Sequence, residues 1–135
     1  MKIHALRLRP GQDLRKELER LTRAKKIRAG FVMTAAGNLD RATVRLAGAE
    51  KIRIWKGPLE IVSLVGTLST DGPHLHISFS DRQGKVFGGH LKDGCPVRTT
   101  CEIVIGASAD HTFTRKSDRK TGFNELVVKT KESSI

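Results

Sequence analysis

The sequence predicts a single α+β domain in which one main helix packs on a largely antiparallel, strongly twisted β-sheet. Three observations carry this expectation. Only Leu14, Leu18 and Leu21 repeat at i, i+4 and i+7, the stripe that an amphipathic helix turns toward a core. Most of the remaining apolar residues fall in short alternating or continuous runs of the kind that form strands. Gly, Pro, Asn and Asp recur between these runs as punctuation. With 135 residues the chain fits one domain, expected over residues 1–130, with a flexible tail at 131–135. That length can bury a moderate core.

Lys2 to Arg9 sets Leu6 and Leu8 against Arg7 and Arg9 and reads as the first strand. Pro10-Gly11-Gln12-Asp13 ends it, and Asp13 is placed to cap the helix that follows. Lys16, Arg20 and Arg23 share a second face of that helix, while Lys25, Lys26 and Arg28 crowd its C-terminal end. Cations there complement the helix dipole, and Gly30 is the expected stop. Strands are then expected at Phe31–Ala36, Ala42–Leu46, Lys51–Trp55 and Leu59–Thr70, divided by Gly37-Asn38, Gly48, Gly57-Pro58 and Asp71-Gly72-Pro73. Val97 to Ala109 supplies a long strand and Leu126 to Val128 a late one. A sheet of this extent leaves one face uncovered, so the chain is expected to self-associate.

The stretch from Pro73 to His90 holds three of the five histidines. Leu75, Ile77 and Phe79 alternate with His74, His76, Ser78 and Ser80, giving a strand with one apolar and one polar face. Asp81-Arg82-Gln83-Gly84 has the residues of a type I turn, followed by a left-handed glycine in the common three-residue hairpin loop. Counting outward from that loop places Ser78 opposite Gly88 and His76 opposite His90. Directly opposed residues share a face, so His74, His76 and His90 converge. A two-residue loop would send His90 to the other face.

The formal net charge of +11 favours polyanionic partners without naming one. Lys16, Arg20, Arg23, Lys25, Lys26 and Arg28 are the candidate DNA contacts, and they serve equally as a solvated, dipole-matched helix end. Five Phe, one Trp and no Tyr leave little for base-stacking platforms. Cys95 and Cys101 are too few for a disulfide framework and read as reduced thiols. No apolar run resembles a signal peptide or a membrane span, which places the expected location in the cytoplasm.

Three neutral imidazoles suit zinc or another divalent transition metal, with a fourth position open for a ligand. An open zinc position is also how hydrolytic sites begin. Glu102, the carboxylate within an otherwise apolar run, is then the weak candidate for a catalytic base, and Glu60 the second. Either serves alternatively as an ion-pair partner or as an acceptor that orients a histidine. Gly88 and Gly89 either leave room for a ligand beside His90 or mark a close strand crossing. His4 and His111 have no such partners. Arg115 and Asp118 read as a structural ion pair before the last strand.

Gly57-Pro58-Leu59-Glu60-Ile61-Val62-Ser63-Leu64 with Gly66, Gly88-Gly89-His90 and Thr100-Cys101-Glu102-Ile103 follow one another in order. With Gly37-Asn38-Leu39, Arg45, Arg115, Asp118, Thr121-Gly122-Phe123 and Glu125-Leu126, this pattern resembles the PPC domain, the plant and prokaryote conserved domain. The resemblance implies a homotrimer of compact protomers, each with one major helix against an antiparallel sheet. In prokaryotic members that keep the three histidines it implies a bound metal, most often zinc, at the positions of His74, His76 and His90. It also carries a DNA-binding label. Plant relatives add an Arg-Gly-Arg-Pro AT-hook, and this sequence has none. The expected function is therefore a non-enzymatic, metal-binding, trimeric module with DNA as favoured partner. The alternative is a zinc-dependent enzyme acting on a small anionic substrate.

Overall fold

The computed structural model describes residues 1–131; of the tail expected at 131–135, residues 132–135 lie outside the described residues. The elements are β1 (Lys2–Leu8), α1 (Leu14–Ala24), β2 (Gly30–Arg45), β3 (Ile52–Leu68), β4 (His74–Ser80), β5 (Val86–Leu91), β6 (Val97–Ala107), β7 (His111–Ser117) and β8 (Asn124–Thr130). Six strands form one sheet in the order β1-β6-β2-β3-β4-β5, and β7 and β8 form a separate hairpin. Every pairing is antiparallel.

An additional β2–β5 pairing joins Val44 to Leu91 and Arg45 to His90, so β2, β3, β4 and β5 close on themselves into a ring. Inside it Trp55 stacks on Phe87 and meets the Phe79 ring edge-on, with both centroid distances 5.3 Å. Leu59, Leu64, Leu75, Ile77 and Phe79 are buried alongside. Leu14 and Leu18 of α1 are fully buried in the same core cluster as Leu8, Ile103 and Ile105 of β1 and β6. No described helix is long and apolar enough to cross a membrane.

Asp13 caps α1 as expected, its Oδ2 accepting from Lys16 N at 3.1 Å. Its other oxygen accepts from Gly94 N and Cys95 N at 2.8 and 2.7 Å, which ties the helix start to the β5–β6 connection. Asp13→Ala therefore removes the cap and strands two further donors. It should lower unfolding free energy by about 2–3 kcal/mol in a urea titration, more than the ~1 kcal/mol of an isolated cap.

Four expectations need correction. Gly30 does not stop the helix: α1 ends at Ala24, Lys26 takes the left-handed conformation at φ +52°, and Gly30 opens β2. The pairs Phe31–Ala36 with Ala42–Leu46, and Lys51–Trp55 with Leu59–Thr70, are not four strands but the two long strands β2 and β3. A Cβ on Gly57 would lie 2.5 Å from the Leu39 carbonyl oxygen, so this glycine admits a crossing strand rather than a turn. Arg115, placed in the connection before the last strand, lies instead on β7, which pairs with β8. Lys131, assigned to the tail, is tied down by its N–H to the Asp110 carbonyl at 2.6 Å.

Candidate metal centre

The hairpin loop forms as its residues dictate. Gly84 N donates to the Asp81 carbonyl at 3.0 Å, Asp81 N donates to the Lys85 carbonyl at 2.9 Å, and Gly84 sits at φ +81°. Asp81 Oδ1 accepts from both Gln83 N and Lys85 N at 2.9 Å and fixes the turn from inside. The register is the expected one, with Ser78 opposite Gly88 and His76 opposite His90.

His74, His76 and His90 consequently form a triangle, with ring centroids 5.1, 5.2 and 5.6 Å apart. One ligand nitrogen from each lies within 4.8 Å of the others. Nitrogens around a tetrahedral zinc stand about 3.3 Å apart, so modest side-chain rotation closes the set. Among the described residues, His90 Nδ1 is the buried side-chain polar atom without a hydrogen-bond partner. A buried imidazole nitrogen normally has a partner, and a cation among three imidazoles would supply one. The donor set thus fits a borderline divalent metal.

The electrostatics favour the neutral form of His90 and His74. Burial, then the Arg45 guanidinium and the two other imidazoles, lower the His90 pKa from the ordinary 6.5 to about 4. Burial and Arg115 lower that of His74, with Glu125 opposing. Between about pH 6.5 and 4 the unfolded chain binds a proton at residue 90 that the folded chain does not, so stability falls as pH drops through that window. An NMR titration of metal-free protein should put the His90 midpoint near 4, and a midpoint at 6.5 would contradict this environment.

The ring closure adds residues that sequence reasoning placed elsewhere. Arg45, opposite His90 on β2, joins His74, His90, Asp71, Arg115 and Glu125 around a pocket of about 390 Å³. Arg115 does not pair with Asp118. Its Nη2 donates to Thr67 Oγ1 at 3.0 Å and its backbone N to Asp71 Oδ2 at 3.0 Å. Asp118 instead holds the β7–β8 turn, accepting from Lys120 N at 2.7 Å. The Arg45 guanidinium lies 5.6 Å from the Phe123 ring, so the small hairpin closes over the triangle's flank.

Other candidates are not brought to this place. Glu102 is exposed on β6 between Arg7 and Ala36, its register partners on β1 and β2, and Glu60 is exposed between Asn38 and Ser80. Neither lines the histidine pocket. Gly88 and Gly89 leave no ligand space, because a Cβ on Gly88 would run into the Ile77 carbonyl and one on Gly89 would lie 2.7 Å from the Arg45 carbonyl oxygen. They mark the close strand crossing. His4 is half-buried on β1, and His111 pairs with Ser108. Both cysteines are free and buried, with thiols pushed up to about 11 by burial.

A family description, the Plants and Prokaryotes Conserved (PCC) domain, matches residues 1–109. The chain belongs to this family. Over 128 residues this PCC domain is 47% identical to the bifunctional protein GlmU of Synechococcus sp. (strain JA-2-3B'a(2-13)), covering 95% of this chain and 20% of that one. The chain thus spans about one fifth of the length of that curated relative. A hypothetical protein from Salmonella cholerae-suis is similar with a TM-score of 0.92 and 38% identity, over 96% of this chain and 94% of that one. A metal-containing protein from Archaeoglobus fulgidus gives 0.83 and 28%, over 94% of each.

Proposed function

We propose that this PCC domain is a non-enzymatic, metal-binding regulatory module, a cytoplasmic homotrimer in which His74, His76 and His90 hold zinc or another divalent transition metal. The convergence of three imidazole nitrogens within 4.8 Å carries the reading. The metal-containing relative supports it. A bound divalent ion would supply a Lewis-acid position, and Arg45 and Arg115 beside it would hold the anionic group of a ligand.

Trimer formation is supported by the resemblance and by apolar side chains exposed on the ring, among them Ile54, Val62, Val65 and Val86 at 55–60%. Val65 stands directly opposite His76, so that surface adjoins the metal site. DNA is the favoured macromolecular partner on the strength of the +11 charge. Arg20 and Arg23 already pair with Glu17 and Glu19.

Elemental analysis of gel-filtered protein, paired with sedimentation, tests the module. About one metal per chain in a trimer is expected, and metal-free protein after zinc loading would refute the reading. A gel-shift series against duplex DNA should show binding that weakens steeply with salt. No shift at low ionic strength removes DNA as partner. The Arg45 and Arg115 guanidiniums favour one second reading, a zinc-dependent enzyme for a small anionic substrate. Turnover in a hydrolase panel that disappears in His76→Ala would establish it.

A further inference from the structure

Segments far apart in sequence meet where β1 begins, α1 connects to β2, β6 ends, β7 begins and β8 ends, and they enclose a cleft of about 460 Å³. That volume is the size of a small-molecule site rather than of an extended nucleic-acid surface. Lys2, Lys25, Lys26, Arg28, Lys129 and Lys131 line it, and no carboxylate does among the described residues. None of these six has an ion-pair partner among the described residues. The contrast with Arg20 and Arg23, both paired on the helix face, is direct.

Ser108 and His111 add hydrogen-bonding groups to the same lining. Ser108 Oγ accepts from Asp110 N at 3.2 Å and lies 2.6 Å from His111 Nδ1, so both polar side chains are held in the cleft wall. Asp110, the adjoining carboxylate in sequence, is absent from the lining. Among the described residues the charged groups of this concavity are all cations, and their mutual repulsion is relieved by a multivalent anion. Lys26 is also held at φ +52°, a conformation disfavoured for a residue with a Cβ. Such strain is retained where the surroundings fix the position, here by Lys26 N to Arg23 O at 3.2 Å and Ile27 N to Thr22 O at 2.9 Å.

We propose that this cleft is a second binding site, separate from the histidine pocket, for a small multiply charged phosphate anion of the tripolyphosphate class that nucleotides carry. It shares no lining residue with the pocket around His74 and His90.

Calorimetric titration of metal-free, full-length protein with inorganic tripolyphosphate tests it. One site per chain is expected, weakening as salt rises. Arg28→Gln combined with Lys129→Gln should weaken binding by about tenfold or more, since charge-assisted contacts are the strong ones. His76→Ala and the helix-face pair Lys16→Gln with Arg20→Gln should leave it unchanged, which separates this site from the metal centre. If the first pair fails to fold, Lys2→Gln with Lys131→Gln carries the same expectation. No binding at low ionic strength, or an equal loss in the helix-face pair, overturns the proposal. So does a short DNA duplex that displaces tripolyphosphate at equal phosphate concentration, since that would assign the cleft to nucleic acid.

Discussion

His76→Ala should lower zinc affinity by about 100-fold or more, the upper range of what losing a supporting group costs a metal site. His76 is one vertex of the triangle. It is the register partner of His90 and its ring centroid lies 5.1 Å from that of His74. Removing it leaves two nitrogens, too few to hold a borderline metal against water and buffer. The side chain is exposed, so unfolding of the metal-free variant should match wild type to within about 0.5 kcal/mol. Chelator competition measures the first quantity and urea titration the second. A variant that keeps wild-type affinity would place the metal elsewhere, and one that unfolds early would make the histidine structural.

Gly66→Ala should be the costliest conservative change in the site. Gly66 lies at φ +146° opposite Leu75, and a Cβ there would run into the His74 carbonyl and stand 2.9 Å from Leu75 Cα. Both atoms belong to backbone, so the clash is relieved only by parting β3 from β4 between His74 and His76. The combined strain and overpacking come to about 2–4 kcal/mol. Zinc affinity falls with it, because the ligand-bearing strand has moved. Gly84→Ala is the contrast: its Cβ meets nothing within 4 Å, and only the positive φ of +81° resists it. That costs about 1–2 kcal/mol. Equal midpoints for the two variants would refute the packing account.

The centre of the site was legible because its geometry is local. Asp81 and Gly84 choose the loop, the loop sets the register, and the register puts His76 opposite His90. The cap at Asp13 and the buried stripe of Leu14 and Leu18 were readable for the same reason. Arg45 was not, since it reaches His90 only through the β2–β5 closure, which depends on how far two long strands bend. Gly57 misled because a glycine where another backbone passes looks, in sequence, like a glycine in a turn. Glu102 stood out as a carboxylate among apolar neighbours. Yet β6 pairs with β2 through residues 30–39, away from the Val44 and Arg45 that meet β5, and this separates it from the histidines. The strand at His111–Ser117 escaped notice because its order comes from pairing with β8 and not from a buried face.

Diffraction from zinc-loaded crystals, recorded on either side of the zinc absorption edge, tests the central claim most directly. An anomalous peak enclosed by His74, His76 and His90 is expected, with nitrogen ligands at about 2.0–2.1 Å. A zinc peak at Cys95, Cys101 or the lysine-lined cleft with none among the three imidazoles would contradict it.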